Sequence, residues 1–173
     1  MQVVPVVPND VKVQAAIGLG ANLGDAAGSI RDAITALAAL PDTRLLAASG
    51  LYRTPAWGRE QQPDFINAAA LVETALAPMP LLDALLTIER NFGRVRLPDE
   101  RWGPRTLDLD LLLYGDQVVD LPRLQVPHPF LHQRAFALVP LVEVAPQMQI
   151  PGHGTVQSVL APLERCGIVA LGG

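Results

Sequence analysis

One stretch limits the fold of this chain more than any other. From Arg101 to Tyr114 the residues run RWGPRTLDLDLLLY, and within it the segment from Thr106 to Leu113 has the pattern of a strand. Leu107, Leu109 and Leu111 alternate there with Thr106, Asp108 and Asp110. Successive strand side chains turn to opposite faces, so the leucines share one face and the two carboxylates the other, about 7 Å apart along the backbone. A sheet with this strand inside it has an apolar surface and a charged one.

Asp is depleted in strands, and like charges on one face repel unless a cation lies between them. Hard carboxylate oxygens suit Mg²⁺, which takes one or two protein carboxylates and completes its shell with water and substrate phosphates. Arg90, Arg94, Arg96, Arg101 and Arg105 crowd the preceding segment. A guanidinium meets phosphate oxygens with two parallel hydrogen bonds. The combination points to a nucleoside triphosphate with its metal. An amphipathic strand whose aspartates are solvated, or paired with Arg105, has the same pattern, because exposed ion pairs are common and weak.

With 173 residues the chain has the length of one domain with a full core, and halves of it would be marginal. Half of the residues are hydrophobic, yet no uncharged apolar run approaches the roughly 20 residues of a membrane span. The apolar start lacks a basic region and is broken by Pro5 and Pro8, so residues 1–10 are expected to be a loose extension and not a secretory signal. The single cysteine, Cys166, fits a reducing, cytoplasmic setting and has little support as a nucleophile, an incidental or small buried thiol being the better reading. A net charge of −4 argues against a general nucleic-acid binder.

In chain order, Lys12 to Leu19 reads as a strand, and Asp25 as the N-cap of a helix over residues 26–40 with Ile30, Ile34, Leu37 and Leu40 as its stripe. The glycines at 18, 20 and 24 fit neither the dinucleotide fingerprint nor the P-loop and are expected in tight turns. Strands are expected over 44–52 and 65–76. In the second, Phe65 and Asn67 share a face, which suits a flat heterocycle stacked on the ring and hydrogen-bonded to the amide; a satellite-core Phe and a cross-strand Asn fit equally. A helix over 81–92 ends at Gly93, and a charged loop over 94–101 follows, of the kind that closes over ligands. Gly115-Asp116 is a hairpin signal, and residues 131–144 read as a further helix. Residues 147–173 form a C-terminal extension with no visible chemistry. The expected class is α+β: a ferredoxin-like βαββαβ antiparallel sheet with helices on one face, in one domain covering 1–173.

Three stretches give the chain a likeness. They are Tyr52-Arg53-Thr54-Pro55 with Gln62-Pro63-Asp64-Phe65-Ile66-Asn67; Gly93-Arg94-Val95-Arg96 with Arg101 through Asp110; and Val126-Pro127-His128 with Arg134 and Phe136. On these the chain resembles the 6-hydroxymethyl-7,8-dihydropterin pyrophosphokinase family of folate biosynthesis over residues 13–146. The resemblance implies transfer of pyrophosphate from the co-substrate ATP to the pterin hydroxymethyl oxygen, with release of AMP. By the same likeness Asp108 and Asp110 hold two Mg²⁺ ions, and Arg94 and Arg105 stabilise the transferred group. Glu89, Arg96, Arg101, Leu111, His128 and Arg134 are implied as nucleotide contacts. Thr54, Pro55, Trp57, Phe65, Asn67, Trp102 and Phe136 are implied around the pterin. The partners so implied are small molecules only, with neither nucleic acid nor membrane, and a monomer is expected. Leu86 stands where the family often has a polar adenine contact, and Pro129 where some members have an aromatic residue.

Two other readings use the same residues. A metal-dependent phosphohydrolase or nucleotidyltransferase would employ the aspartate pair with water attack or pyrophosphate release. A non-catalytic ligand-binding module would keep ligand affinity after Asp108→Ala.

Overall fold

The structure, a computed structural model, describes residues 11–56, 62–93 and 107–172. Its centre is β1 (Val13–Ala21), which pairs antiparallel with β4 (Phe65–Thr74) on one side and with β5 (Asp108–Tyr114) on the other. Both partners arrive through helices. Asp25 caps α1 (Ala26–Ala38), its carboxylate accepting the Gly28 N–H at 3.0 Å, and Ile30, Ala33 and Leu37 are buried. Pro78 opens α2 (Pro78–Asn91), where its missing N–H costs nothing, and Gly93 at φ 82° follows its end.

One edge of the sheet departs from the expected single strand. β2 (Thr43–Ala48) and β3 (Tyr52–Thr54) both pair with β4, over Ala70–Thr74 and Phe65–Asn67 respectively. Ser49 fills the gap between them. Its N–H donates to the Ala69 carbonyl and its Oγ accepts the Ala69 N–H, each at 2.8 Å, so a hydroxyl replaces one backbone acceptor of the ladder. The sheet order is β10-β3-β4-β1-β5, where β10 (Val169–Ala170) comes from the C-terminal segment.

Both faces of the sheet are covered. Ala15, Ile17 and Leu19 of β1, Ala68, Ala70 and Val72 of β4, and Leu107, Leu109 and Leu111 pack with α1 and α2. Ala16, Ala69, Leu71, Leu112 and Leu113 pack on the other face with α3 (Ala135–Val144) and α4 (Val156–Leu160). Helices on one face therefore describe only the first half of the chain. The mixed α/β class and the antiparallel sheet match the expectation.

Three local expectations change. The strand alternation of β5 shifts phase after Leu112, the residue that the register with β1 skips between Leu111, opposite Ile17, and Leu113, opposite Ala16. Leu113 consequently faces the same side as Leu112 and the aspartates. The Gly115-Asp116 turn does not close a hairpin with β5; β6 (Val119–Leu121) pairs instead with β7 (Leu124–Val126). Leu131–Gln133 is a 3-10 turn ahead of α3, and the remaining strands, β8 (Gln149–Ile150) and β9 (Gly154–Thr155), form a small hairpin. Among the described residues no helix is long and apolar enough to cross a membrane.

Candidate active site

Of the glycines expected in turns, Gly24 lies in the bend before α1 at φ 59°, whereas Gly18 and Gly20 sit inside β1. Gly20 lies between Asn67 on β4 and Asp108 on β5, and Gly18 between Ala69 and Asp110. Residues directly opposite across a ladder share a face. Asn67, Gly20 and Asp108 thus form one row, and at about 4.8 Å per strand its ends stand about 10 Å apart. A Cβ on Gly20 would meet Asn67 Oδ1 at 3.0 Å, and one on Gly18 would meet Leu112 at 3.2 Å. The missing side chains make room for the Asn67 amide beside Gly20, which is itself buried, and for the Leu112 side chain beside Gly18.

The amide end of this row is built by β3. Tyr52 stands opposite Asn67, and Thr54 opposite Phe65. Asn67 Nδ2 donates to the buried Thr54 Oγ1 at 2.6 Å, which fixes the amide plane. Phe65 and Asn67 are half-buried on the same face, as the alternation of β4 requires. Pro55 is exposed, and the C-terminal segment packs against it at Gly167. Leu171 N–H adds a bond to the Leu51 carbonyl at 2.9 Å. The segment that carries no visible chemistry in the sequence therefore braces the strand holding Thr54. Asn22, buried at the end of β1, has no signal in the sequence beyond a turn residue: its Nδ2 donates to Gln62 Oε1 and the Pro63 carbonyl, each at 3.0 Å, tying β1 to the chain entering β4.

The carboxylate end is faced by the chain leaving β7. His128 N–H donates to the Leu112 carbonyl at 3.0 Å, which lays this segment along β5 and brings His128 Nε2 to 3.9 Å from Asp110 Oδ1. His128 Nδ1–H donates to the Pro129 carbonyl at 2.8 Å, so the ring directs its Nε2 toward the aspartate. Burial, and then the positive charge of Arg134, lower the His128 pKa below its ordinary value; the Pro129 carbonyl and Asp108 oppose this in part. Arg134 lies 5.8 Å from the centre of the Phe136 ring.

Two of the expected nucleotide contacts have buried side chains. Leu111 is 3% exposed and belongs to the core under α1 and α2, on the face away from Asp110. Glu89 is buried on α2, and its Oε2 accepts the Leu109 N–H at 2.8 Å on the outer edge of β5. It clamps the strand that carries the aspartates; a buried charge-assisted bond of this type contributes about 1.5–3 kcal/mol. Trp57, Arg94, Arg96, Arg101, Trp102 and Arg105 lie outside the described residues.

Among the described residues no group of three or more His, Cys, Asp or Glu is placed to hold a metal. Two half-exposed carboxylates on one strand face fit Mg²⁺ that takes most of its shell from water and substrate phosphates. They do not fit a closed structural site, which needs four protein ligands.

Such a surface, with a flat-ring end and an acidic end on one rigid sheet, suits an enzyme that brings two small molecules together. Comparison with known proteins makes the class specific. The family model of 7,8-dihydro-6-hydroxymethylpterin-pyrophosphokinase (HPPK) matches residues 16–146, and the chain belongs to that family. It is 48% identical over 157 residues to the 2-amino-4-hydroxy-6-hydroxymethyldihydropteridine pyrophosphokinase of Pseudomonas aeruginosa, covering 91% of this chain and 96% of that one. To the enzyme of the same name from Methylorubrum extorquens it is 47% identical, over 90% of this chain and 96% of the other. The wild-type HPPK-DHPS of Plasmodium falciparum, solved with pteroate, superposes with a TM-score of 0.67 at 14% identity. That match covers 87% of this chain and 42% of the other, so the chain spans less than half of that protein and the likeness concerns the fold alone.

Proposed function

We propose that the chain catalyses the Mg²⁺-dependent transfer of pyrophosphate from ATP to 6-hydroxymethyl-7,8-dihydropterin, giving AMP and the pterin diphosphate, as a step of folate biosynthesis. The observation that carries this reading is the row Asn67-Gly20-Asp108, which sets a ring-reading amide and an acidic pair on one surface.

In this reading the pterin stacks between Phe65 and Phe136, with Trp102 over it. Asn67, fixed by Thr54, reads the ring edge together with the backbone from Thr54 through Pro55 to Trp57. Asp108 and Asp110 hold the metal against the triphosphate. Mg²⁺, when bound, supplies positive charge to the phosphate oxygens and orients the attacking hydroxyl. Arg94, Arg96, Arg101, Arg105 and Arg134 donate to phosphate oxygens, and the Nε2 of His128, an acceptor in the tautomer that the Pro129 carbonyl selects, takes a hydrogen bond from the ribose. The hydroxymethyl oxygen forms a bond to the β-phosphorus while the bond from that phosphorus to the oxygen bridging to the α-phosphate breaks. AMP leaves with that oxygen, and the hydroxyl proton passes to solvent. Positioning and charge supply the acceleration, and no protein nucleophile is needed.

Asp108→Asn and Asp110→Asn test the assignment. Each removes a charge from a half-exposed position, so the melting temperature should stay close to that of the parent, while turnover falls by about 10²- to 10³-fold or more, as for loss of a preorganised electrostatic group. Turnover within a few-fold of the parent would remove the metal site from this strand.

A further inference from the structure

The turn before the 3-10 segment carries a residue that its geometry disfavours. Leu131 N–H donates to the His128 carbonyl at 3.1 Å, closing His128-Pro129-Phe130-Leu131. With Pro129 at the second position and Phe130 at φ 67°, ψ 6°, this matches a type II turn, whose third position favours Gly or Asn. A bulky residue there is strained. Nor does burial account for it, because Phe130 remains 57% exposed. What the ring does meet is a cation: the Arg134 guanidinium carbon lies 5.9 Å from the Phe130 centroid and 5.8 Å from that of Phe136.

We propose that Phe130 is a positioning residue for Arg134, holding the guanidinium with Phe136 in the orientation that receives an ATP phosphate. Stacking uses the face of a guanidinium and phosphate recognition uses its edge, so the two are compatible. An arginine side chain otherwise loses much rotamer freedom on binding, and a ring that orders it beforehand lowers that cost. The inference rests on the reading of Arg134 as a phosphate contact.

The test is calorimetric titration of the enzyme with the α,β-methylene analogue of ATP and Mg²⁺, together with melting temperatures, for Phe130→Gly, Phe130→Trp, Arg134→Ala and the double variant Phe130→Gly with Arg134→Ala. Phe130→Gly should weaken analogue binding by about three- to five-fold, the strength of an exposed cation–π contact. Its melting temperature should hold or rise, since glycine relieves the turn. Phe130→Trp should restore binding, and Phe130→Gly should add nothing once Arg134 is alanine. If Arg134→Ala weakens binding while Phe130→Gly leaves it unchanged, or if the two losses multiply in the double variant, Phe130 does not act through Arg134. If Arg134→Ala itself leaves binding unchanged, the phosphate reading of Arg134 fails first and separately.

Discussion

Tyr52 shows how single polar contacts beside the Asn67-Gly20-Asp108 row hold it in place. Its hydroxyl donates to Glu143 Oε1 on α3, and the other oxygen of that carboxylate accepts the Gly50 N–H at 3.0 Å. One glutamate thus fastens the β2–β3 connection and the strand that faces Asn67. Burial first, then the hydrogen bond and negative charge of Glu143, raise the Tyr52 pKa from 10.0 to about 12. A folded pKa above the unfolded one means that the folded state binds the extra proton in that window. The stabilisation is accordingly complete below pH 10 and is lost as pH climbs toward about 12. In urea unfolding, the stability advantage of the parent over Tyr52→Phe should stay level up to pH 10 and shrink above it. An advantage that grew with alkalinity would mean that Glu143 is not the partner.

At the scale of elements, β1 does most to shape the site, and it does so by omission. Gly18 and Gly20 leave the space into which the Leu112 side chain and the Asn67 amide pack. Gly20→Ala places a methyl group 3.0 Å from Asn67 Oδ1, tighter than nine in ten real Cβ contacts, so the amide must give by a few tenths of an ångström. The expected result is a higher pterin KM, equivalent to about 1–3 kcal/mol of overpacking, with the far-UV circular dichroism of the parent. An unchanged KM would show that the pterin does not lie over Gly20. The alternation of Leu107, Leu109 and Leu111 against Asp108 and Asp110, the shared face of Phe65 and Asn67, the Asp25 cap and the Gly93 stop were all legible, because each depends on neighbours in sequence. The role of Gly20 was not. It follows from the register of three strands, and a glycine in a strand looks in sequence like a glycine in a turn. The phase shift at Leu112 was hidden for the same reason: a bulge is specified by the partner strand.

For the whole molecule, local pattern indicated which segments are amphipathic but not which side of the sheet each helix covers. α3 and α4 therefore change a one-sided sheet into one packed on both faces. β10 has two exposed residues, Val169 and Ala170, and too short a run to show alternation, yet it extends the sheet beside β3. The site lies where the second layer stops, with the acidic pair of β5 under the connection that carries His128 and Arg134. The arginine-rich segment between α2 and β5, from which most of the proposed phosphate contacts come, is outside the described residues, so its part in the site rests on the motif that it carries. The central claim is that this surface transfers a pyrophosphoryl group and not a single phosphoryl group. The direct measurement is to incubate the protein with ATP, Mg²⁺ and 6-hydroxymethyl-7,8-dihydropterin and to separate the nucleotide products. AMP formed one for one with a diphosphorylated pterin, and abolished by chelating the metal, is the expected result; ADP, or no turnover while the pterin is bound, would contradict it.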